Sequence, residues 1–316
     1  MASVFLLSLL AGLALSEASV AIDALAHAAA ASEASRAPYD VPPAISISPG
    51  DPSLFFSPYN WFVTNTSAST INAGAYFKCI FQGNWANLSF DVSGMVNPPS
   101  QVYVQIDNGP QTPFVVAPTI TLAVPSNLTR GDVPWHTLHV LIKSTTETAN
   151  RWSPSKPSTR VVFTGLTVSA VAPWFPAPKN VLIYGDSITE GVLTLGGSQH
   201  YDTDHNDASV VYSHALGPLL GAEMGVVGFG ATGLSRGGSG GVPALGVSWN
   251  QLWDGVPRAF SPQPDLVVFN EGTNDCGAPP APCGIAPAMA TVLSNLLAAC
   301  PAATLAVMQP CAWGGA

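Results

Sequence analysis

Charge is what this sequence has least of. Only 9% of its 316 residues are Asp, Glu, Lys or Arg, against about 25% in an average soluble domain. Lys and Arg number 10 against 19 acidic residues, a formal net charge of −9. A chain so short of cations cannot neutralise a run of phosphates, which excludes nucleic acid as a partner. It is equally unsuited to an anionic membrane surface. Cysteine is sparse, with five residues, no CxxC spacing and no His beside a cysteine pair, so a structural zinc site is excluded. No stretch reaches 18 continuous apolar residues, the length a membrane-spanning helix needs. What is abundant is apolar and turn-forming: 47% hydrophobic residues, with 29 Gly and 29 Pro. That apolar content excludes disorder over most of the chain. A low-charge surface suits neutral partners such as carbohydrate.

The N-terminus reads as an export signal. Val4 to Leu15 is apolar apart from Ser8 and small residues, and Ser16/Ala18 and Ser19/Ala21 offer small-residue cleavage pairs. Residues 1–21 are therefore expected to be a signal peptide, although no Lys or Arg precedes the apolar run. Three Asn-x-Ser/Thr sequons, at Asn65, Asn87 and Asn127, fit a glycosylated protein outside the cell. An oxidising compartment permits disulfides. Cys276 and Cys283 flank a Pro-rich loop, and Cys300 and Cys311 flank an apolar segment, so these four are the bridge candidates. Cys79 is left without a partner, and connectivity stays open.

Two textures follow. Residues 22–50 are Ala- and Ser-rich, then Pro-rich, and read as a linker. Residues 51–172 are short apolar runs broken by turn residues. Val102, Val104 and Ile106 alternate with Gln101, Tyr103 and Gln105, the period of a half-buried strand, and the recurrence predicts an all-β sandwich. From 178 to 316 the pattern changes to strands alternating with helices. Helices are expected over 209–224 and along APAMATVLSNLLAAC, with strands at NVLIYG, MGVVGFG, PDLVVFN and TLAVMQPCAW. That alternation predicts an α/β domain with a parallel sheet.

Three loops follow strands in the second domain. They are Gly185-Asp186-Ser187-Ile188-Thr189-Glu190-Gly191, Gly228-Phe229-Gly230-Ala231-Thr232-Gly233 and Gly272-Thr273-Asn274-Asp275. In an open parallel sheet, loops at the carboxyl ends of strands share one edge, where ligands bind. A Ser after an apolar strand can serve as a nucleophile, and Gly N–H and Asn amide groups are the donors an oxyanion needs.

These blocks resemble the SGNH (GDSL) hydrolase superfamily. GDSITEG matches its first block GDSxTxG, and GTND matches GxND. The middle block departs, with Gly228 where Asn is usual. The resemblance implies a flavodoxin-like three-layer α/β/α domain, with Ser187 as nucleophile. Ser187 N–H, Gly233 N–H and the Asn274 side chain would be the oxyanion donors, and Asp186 and Asp275 scaffold residues. Glu190 reads as a solvated turn residue. The domain order, with a jelly-roll-like β-sandwich first, is similar to that of carbohydrate esterases of family two. This implies a secreted serine esterase that forms an acyl-enzyme and deacetylates carbohydrate or another small ester, with no cofactor and no metal.

The family's general base, a His in a DxxH block, has no counterpart after the last strand, because no His follows His214. The hydrolase domain is accordingly expected to be C-terminally incomplete. Asp202-Thr203-Asp204-His205 is the one DxxH string, which makes His205 a minor candidate base. His136, His139 and His214 read as structural. GFGATG also matches GxGxxG but opens no good helix, so it is not read as nucleotide-binding, and GGSGG matches GxSxG without a preceding strand, so it is not read as a nucleophile elbow. Trp249 and Trp253 are expected to share a helical face packed on the sheet. Two alternatives remain: a catalytically silent carbohydrate-binding or surface protein, and a lipid esterase.

Overall fold

The computed structural model describes residues 43–124, 134–153, 159–197, 203–275 and 284–308. The expected signal peptide, most of the linker, Asn127, Cys276, Cys283 and Cys311 lie outside the described residues. Pro43–Ala316 forms one compact unit.

The first half is all-β. Its strands are β1 (Ile45–Ile47), β2 (Phe55–Phe56), β3 (Phe62–Val63), β4 (Ala68–Thr70), β5 (Tyr76–Gln82) and β6 (Trp85–Phe90). They continue as β7 (Gln101–Ile106), β8 (Thr112–Val115), β9 (Thr119–Ala123), β10 (Trp135–Ser144), β11 (Val161–Val168) and β12 (Ala170–Ala172). One sheet runs β3-β4-β11-β6-β9 with β1 on β11, and the other β12-β5-β10-β7-β8 with β2 on β5. β1 falls inside the segment read as linker. Between the sheets lies one apolar core that includes Phe77, Phe81, Leu88, Leu138 and Phe163. Val102, Val104 and Ile106 point into it, as their alternation requires. Gln101 on the other register is also buried, because the buried Lys143 Nζ donates to its Oε1 at 3.0 Å.

The second half contains β13 (Lys179–Gly185), α1 (Ser187–Glu190), α2 (Tyr212–Leu220) and β14 (Ala222–Gly228). α3 (Leu245–Ser248), the small pair β15 (Gln251–Trp253) and β16 (Val256–Pro257), β17 (Leu266–Asn270), α4 (Ala286–Ala299) and β18 (Thr304–Val307) follow. β14-β13-β17-β18 form a parallel sheet. Side chains alternate across it. Leu182, Tyr184, Val267 and Phe269 meet α4 through Val292 and Leu296. Val181, Ile183, Val226 and Val268 meet Tyr212 and Leu216 of α2, together with Tyr76 and Leu141 of the sandwich. Helix α2 is shorter than its apolar spacing predicts. Gly221 adopts the left-handed conformation, φ 59°, which ends the helix. Trp249 and Trp253 do not share a helix: Trp249 caps α3 and stacks on Phe260, while Trp253 lies in β15. Both still pack in the core.

β14 is an edge strand, and an exposed parallel edge presents unpaired backbone groups. The sandwich covers it with side chains. The Asn60 amide donates to Val226 O at 2.7 Å and accepts from Val226 N–H at 2.9 Å, as a neighbouring strand would. Tyr76 Oη accepts from Met224 N–H at 2.8 Å. Asn60→Ala would leave both buried Val226 groups unpaired, at about 1–3 kcal/mol each. Urea unfolding should therefore show a loss of about 2–6 kcal/mol. A change below about 0.5 kcal/mol would show that Asn60 does not hold this edge.

Candidate active site

Strand β13 ends at Gly185, and the chain turns at Asp186 into the single turn of α1. Asp186 is the N-cap, its Oδ1 accepting the Ile188 N–H at 3.0 Å. Ser187 is the first helical residue and half-buried, with Ile188 exposed beside it, while Thr189 and Glu190 point inward. Gly191 closes the turn with φ 90°, and its N–H returns to Ser187 O at 3.0 Å. The position where Asn is usual in the middle block has a local reason to be Gly. A Cβ on Gly228 would lie 2.8 Å from Glu190 N and 3.1 Å from the Thr189 carbonyl carbon, so α1 rests directly on this backbone.

The three loops are bound together as the sequence blocks suggest. Asn274 Nδ2 donates to Asp186 Oδ2 at 3.1 Å and to Thr232 O at 2.8 Å, joining the third loop to the first two. The Asp275 carboxylate accepts Leu234 N–H at 2.7 Å and Ser235 N–H at 2.8 Å. Gly233 N–H donates to Arg236 O at 2.9 Å. Two of the three expected oxyanion donors, Gly233 N–H and the Asn274 amide, are thus engaged within the protein. Ser187 N–H has no acceptor among the described residues. His205 lies with its ring over Gly197, in its own loop, and no hydrogen bond joins it to Ser187 among the described residues.

Glu190 corrects the sequence reading. It is 2% exposed, not a solvated turn residue. Its Oε2 accepts Gly230 N–H at 2.7 Å, and its Oε1 lies 2.7 Å from Arg151 Nη2, whose side chain is 0% exposed. That ion pair is a close charge contact without in-line hydrogen-bond geometry. Beside it, Glu147 accepts from Asn206 Nδ2 at 3.2 Å and Ser239 Oγ at 3.3 Å. Burial and the neighbouring Glu190 push the Glu147 carboxyl up to about 7. Burial also raises Asp186, with Ile188 N–H and Thr273 hydrogen bonds opposing it. Arg151, Glu147 and Glu190 were not singled out as site residues. The available signal was that a chain with so few charges places three of them here.

Glu271, just before the GTND block, is also buried. Burial first, and the Asp186 and Asp275 charges next, hold its carboxyl well above the usual carboxylate range, with the Gly272 N–H opposing only in part. Neither carboxyl oxygen has a well-formed hydrogen bond among the described residues. Among the described residues no three His, Cys, Asp or Glu side chains converge as metal ligands. Cys79 and Cys300 are buried free thiols, and burial pushes Cys79 up to about 12. Cys300 follows α4, and its side chain packs in the core with Val292 and Leu296. Of the sequons, Asn65 is exposed. Asn87 is half-buried in β6, between β11 and β9.

The raised Glu271 carboxyl has a pH consequence. The folded chain holds a proton that the unfolded chain releases near its ordinary value of 4.5. Its stabilising contribution is therefore full below that pH and is lost as pH rises through the folded value. Glu271→Gln should gain melting temperature relative to the parent as pH rises from 4.5 to neutrality. Parallel melting curves across that range would contradict the assignment. Glu147 acts in the same direction in both proteins and cancels in the comparison.

Residues 183–316 match the GDSL-like Lipase/Acylhydrolase family. No curated protein matches the chain. Among solved structures, a family two carbohydrate esterase from Cellvibrio japonicus superposes with TM-score 0.70 at 20% identity, over 86% of this chain and 81% of that one. One from Clostridium thermocellum in complex with cellohexaose gives TM-score 0.66 at 22% identity, over 83% and 79%. An acetyl xylan esterase from Butyrivibrio proteoclasticus gives TM-score 0.66 at 15% identity, over 85% and 81%. At such identities the likeness is one of fold, and it spans both halves of the chain. The GDSxTxG and GxND blocks follow strands of the parallel sheet within residues 183–316, the part of the chain that matches the GDSL-like Lipase/Acylhydrolase family and supports a carboxylic-ester hydrolase of SGNH type there.

Proposed function

We propose that this protein is a secreted serine esterase that removes acyl groups, acetyl foremost, from carbohydrate. One observation carries the reading: Ser187 stands half-exposed at the carboxyl end of β13, on a turn tied by Asp186 and Asn274 to the other two loops. In this reading Ser187 Oγ attacks the acyl carbonyl and forms an ester with the acyl group as the alcohol leaves. Water then cleaves that ester and releases the acid. Ser187 N–H is already available to the developing oxyanion. The Asn274 amide and Gly233 N–H join it by exchanging their Thr232 and Arg236 acceptors for the substrate oxygen. Losing one such donor costs about 2.7–4 kcal/mol of barrier. Carbohydrate as the alcohol is supported by the charge-poor composition and by the fold shared with family two carbohydrate esterases. Secretion is supported by the N-terminal leader and the sequons. We also read the first domain as jelly-roll-like and the second as flavodoxin-like, the latter on its strand order β14-β13-β17-β18.

A second reading, carbohydrate binding without turnover, is favoured by the engaged Asn274 and Gly233 donors. Hydrolysis of acetylated xylan and of an ester series of increasing acyl length separates the readings. The expected result is turnover of acetyl esters above long-chain esters, reduced at least ~10³-fold in Ser187→Ala. Glycan binding with no turnover would select the second reading, and preference for long acyl chains a lipid esterase. His205→Ala should leave kcat unchanged, because its ring lies beside Gly197 in its own loop and no hydrogen bond joins it to Ser187 among the described residues. A fall of ~10²-fold or more would instead make His205 the base.

A further inference from the structure

The nucleophile turn is held from outside its own domain. α1 is four residues long, too short to sustain itself, since a first helical turn is unfavourable until something fixes it. Asp186 fixes its start. Its end is fixed by Glu190, three residues after Ser187. One carboxylate oxygen of Glu190 binds the Gly230 N–H at 2.7 Å, and the other lies 2.7 Å from the Arg151 guanidinium of the sandwich. The loop carrying Arg151 is wedged in place. Arg151 N–H donates to Gly240 O at 2.8 Å, Arg151 Nε to Thr146 O at 3.3 Å, and the guanidinium stands 5.9 Å over the Phe229 ring. Glu147, from the same loop, grips Asn206 and Ser239 on either side. The only cation in contact with the buried Glu190 carboxylate among the described residues is thus supplied by the sandwich.

We propose that Arg151 is a positioning residue for Ser187, so that the β-sandwich completes the catalytic centre and is more than an attached binding module. This rests on the serine esterase reading above. Arg151 touches neither substrate nor Ser187. It acts through Glu190, by fixing the pitch of α1 and the distance between α1 and the Gly230 loop, and therefore the direction of Ser187 Oγ and of its N–H.

The test uses the full chain and the variants Arg151→Lys, Arg151→Met and Arg151→Met/Glu190→Gln. Active sites are titrated with a fluorophosphonate so that kcat is expressed per reactive serine. Arg151→Met should lower kcat per site ~10–100-fold with KM within about twofold, and Arg151→Lys should fall less. The double variant should lose no more than Arg151→Met alone, because the two residues act as a unit. Hydrogen exchange at the amides of residues 187–191 and Gly230 should speed up in Arg151→Met, a readout independent of turnover. Parental kcat per site in Arg151→Met, or additive losses in the double variant, would overturn the proposal. Collapse of the fold in all three variants would overturn it as well, since Arg151 would then be a folding residue. Retained activity in Ser187→Ala would sink the esterase reading instead, and is distinguishable from these outcomes.

Discussion

The open edge of β14 is the constraint on which the rest of the structure depends. A parallel sheet of this kind cannot leave a row of backbone N–H and C=O groups unpaired, and here the partner is not another strand but side chains of a different domain. Asn60 stands in for a strand at Val226, and Tyr76 receives Met224 N–H while donating to Glu223, which also holds Lys78 at 2.8 Å. Once these contacts fix the sandwich against β14, its other loops are brought over the carboxyl ends of the strands. Lys143 and Ser144 then hold Thr203 O, Tyr103 holds Asp207, and Arg151 meets Glu190. The docking that solves a backbone problem at the edge thereby sets the surroundings of Ser187.

The scarcity of charge acquires a meaning from this arrangement. Burying a lone carboxylate is expensive, and breaking one member of a buried pair is more damaging than never having had the pair. A chain with few charges that nonetheless buries Arg151, Glu147 and Glu190 together uses them as a joint whose parts depend on one another. Such a joint favours one relative placement of the two domains, because any slip would leave charges unpaired in a poorly solvated space.

The parts of the fold that follow from local periodicity were legible in the sequence. The period-two runs of the sandwich, the strand–helix alternation after residue 178 and the placement of GDSITEG and GTND after strands all appear in the structure. What was not legible depends on contacts between residues far apart in the chain. Glu190 looks like any polar turn residue until Arg151 is brought against it, and Asn60 looks like any loop Asn until it pairs with Val226. The end of α2 at Gly221 and the separation of Trp249 from Trp253 escaped because apolar spacing alone does not register a left-handed glycine or a short β pair. Gly228, a departure from the usual motif, became intelligible only from the backbone of α1 lying on it.

The account as a whole stands on Ser187 being a presented, reactive hydroxyl. The most direct measurement is peptide mapping by mass spectrometry after treatment of the folded, full-length chain with a fluorophosphonate. The account predicts one covalent adduct, on Ser187, absent in Ser187→Ala. No adduct on a folded chain, or an adduct on another residue that persists in Ser187→Ala, would contradict it.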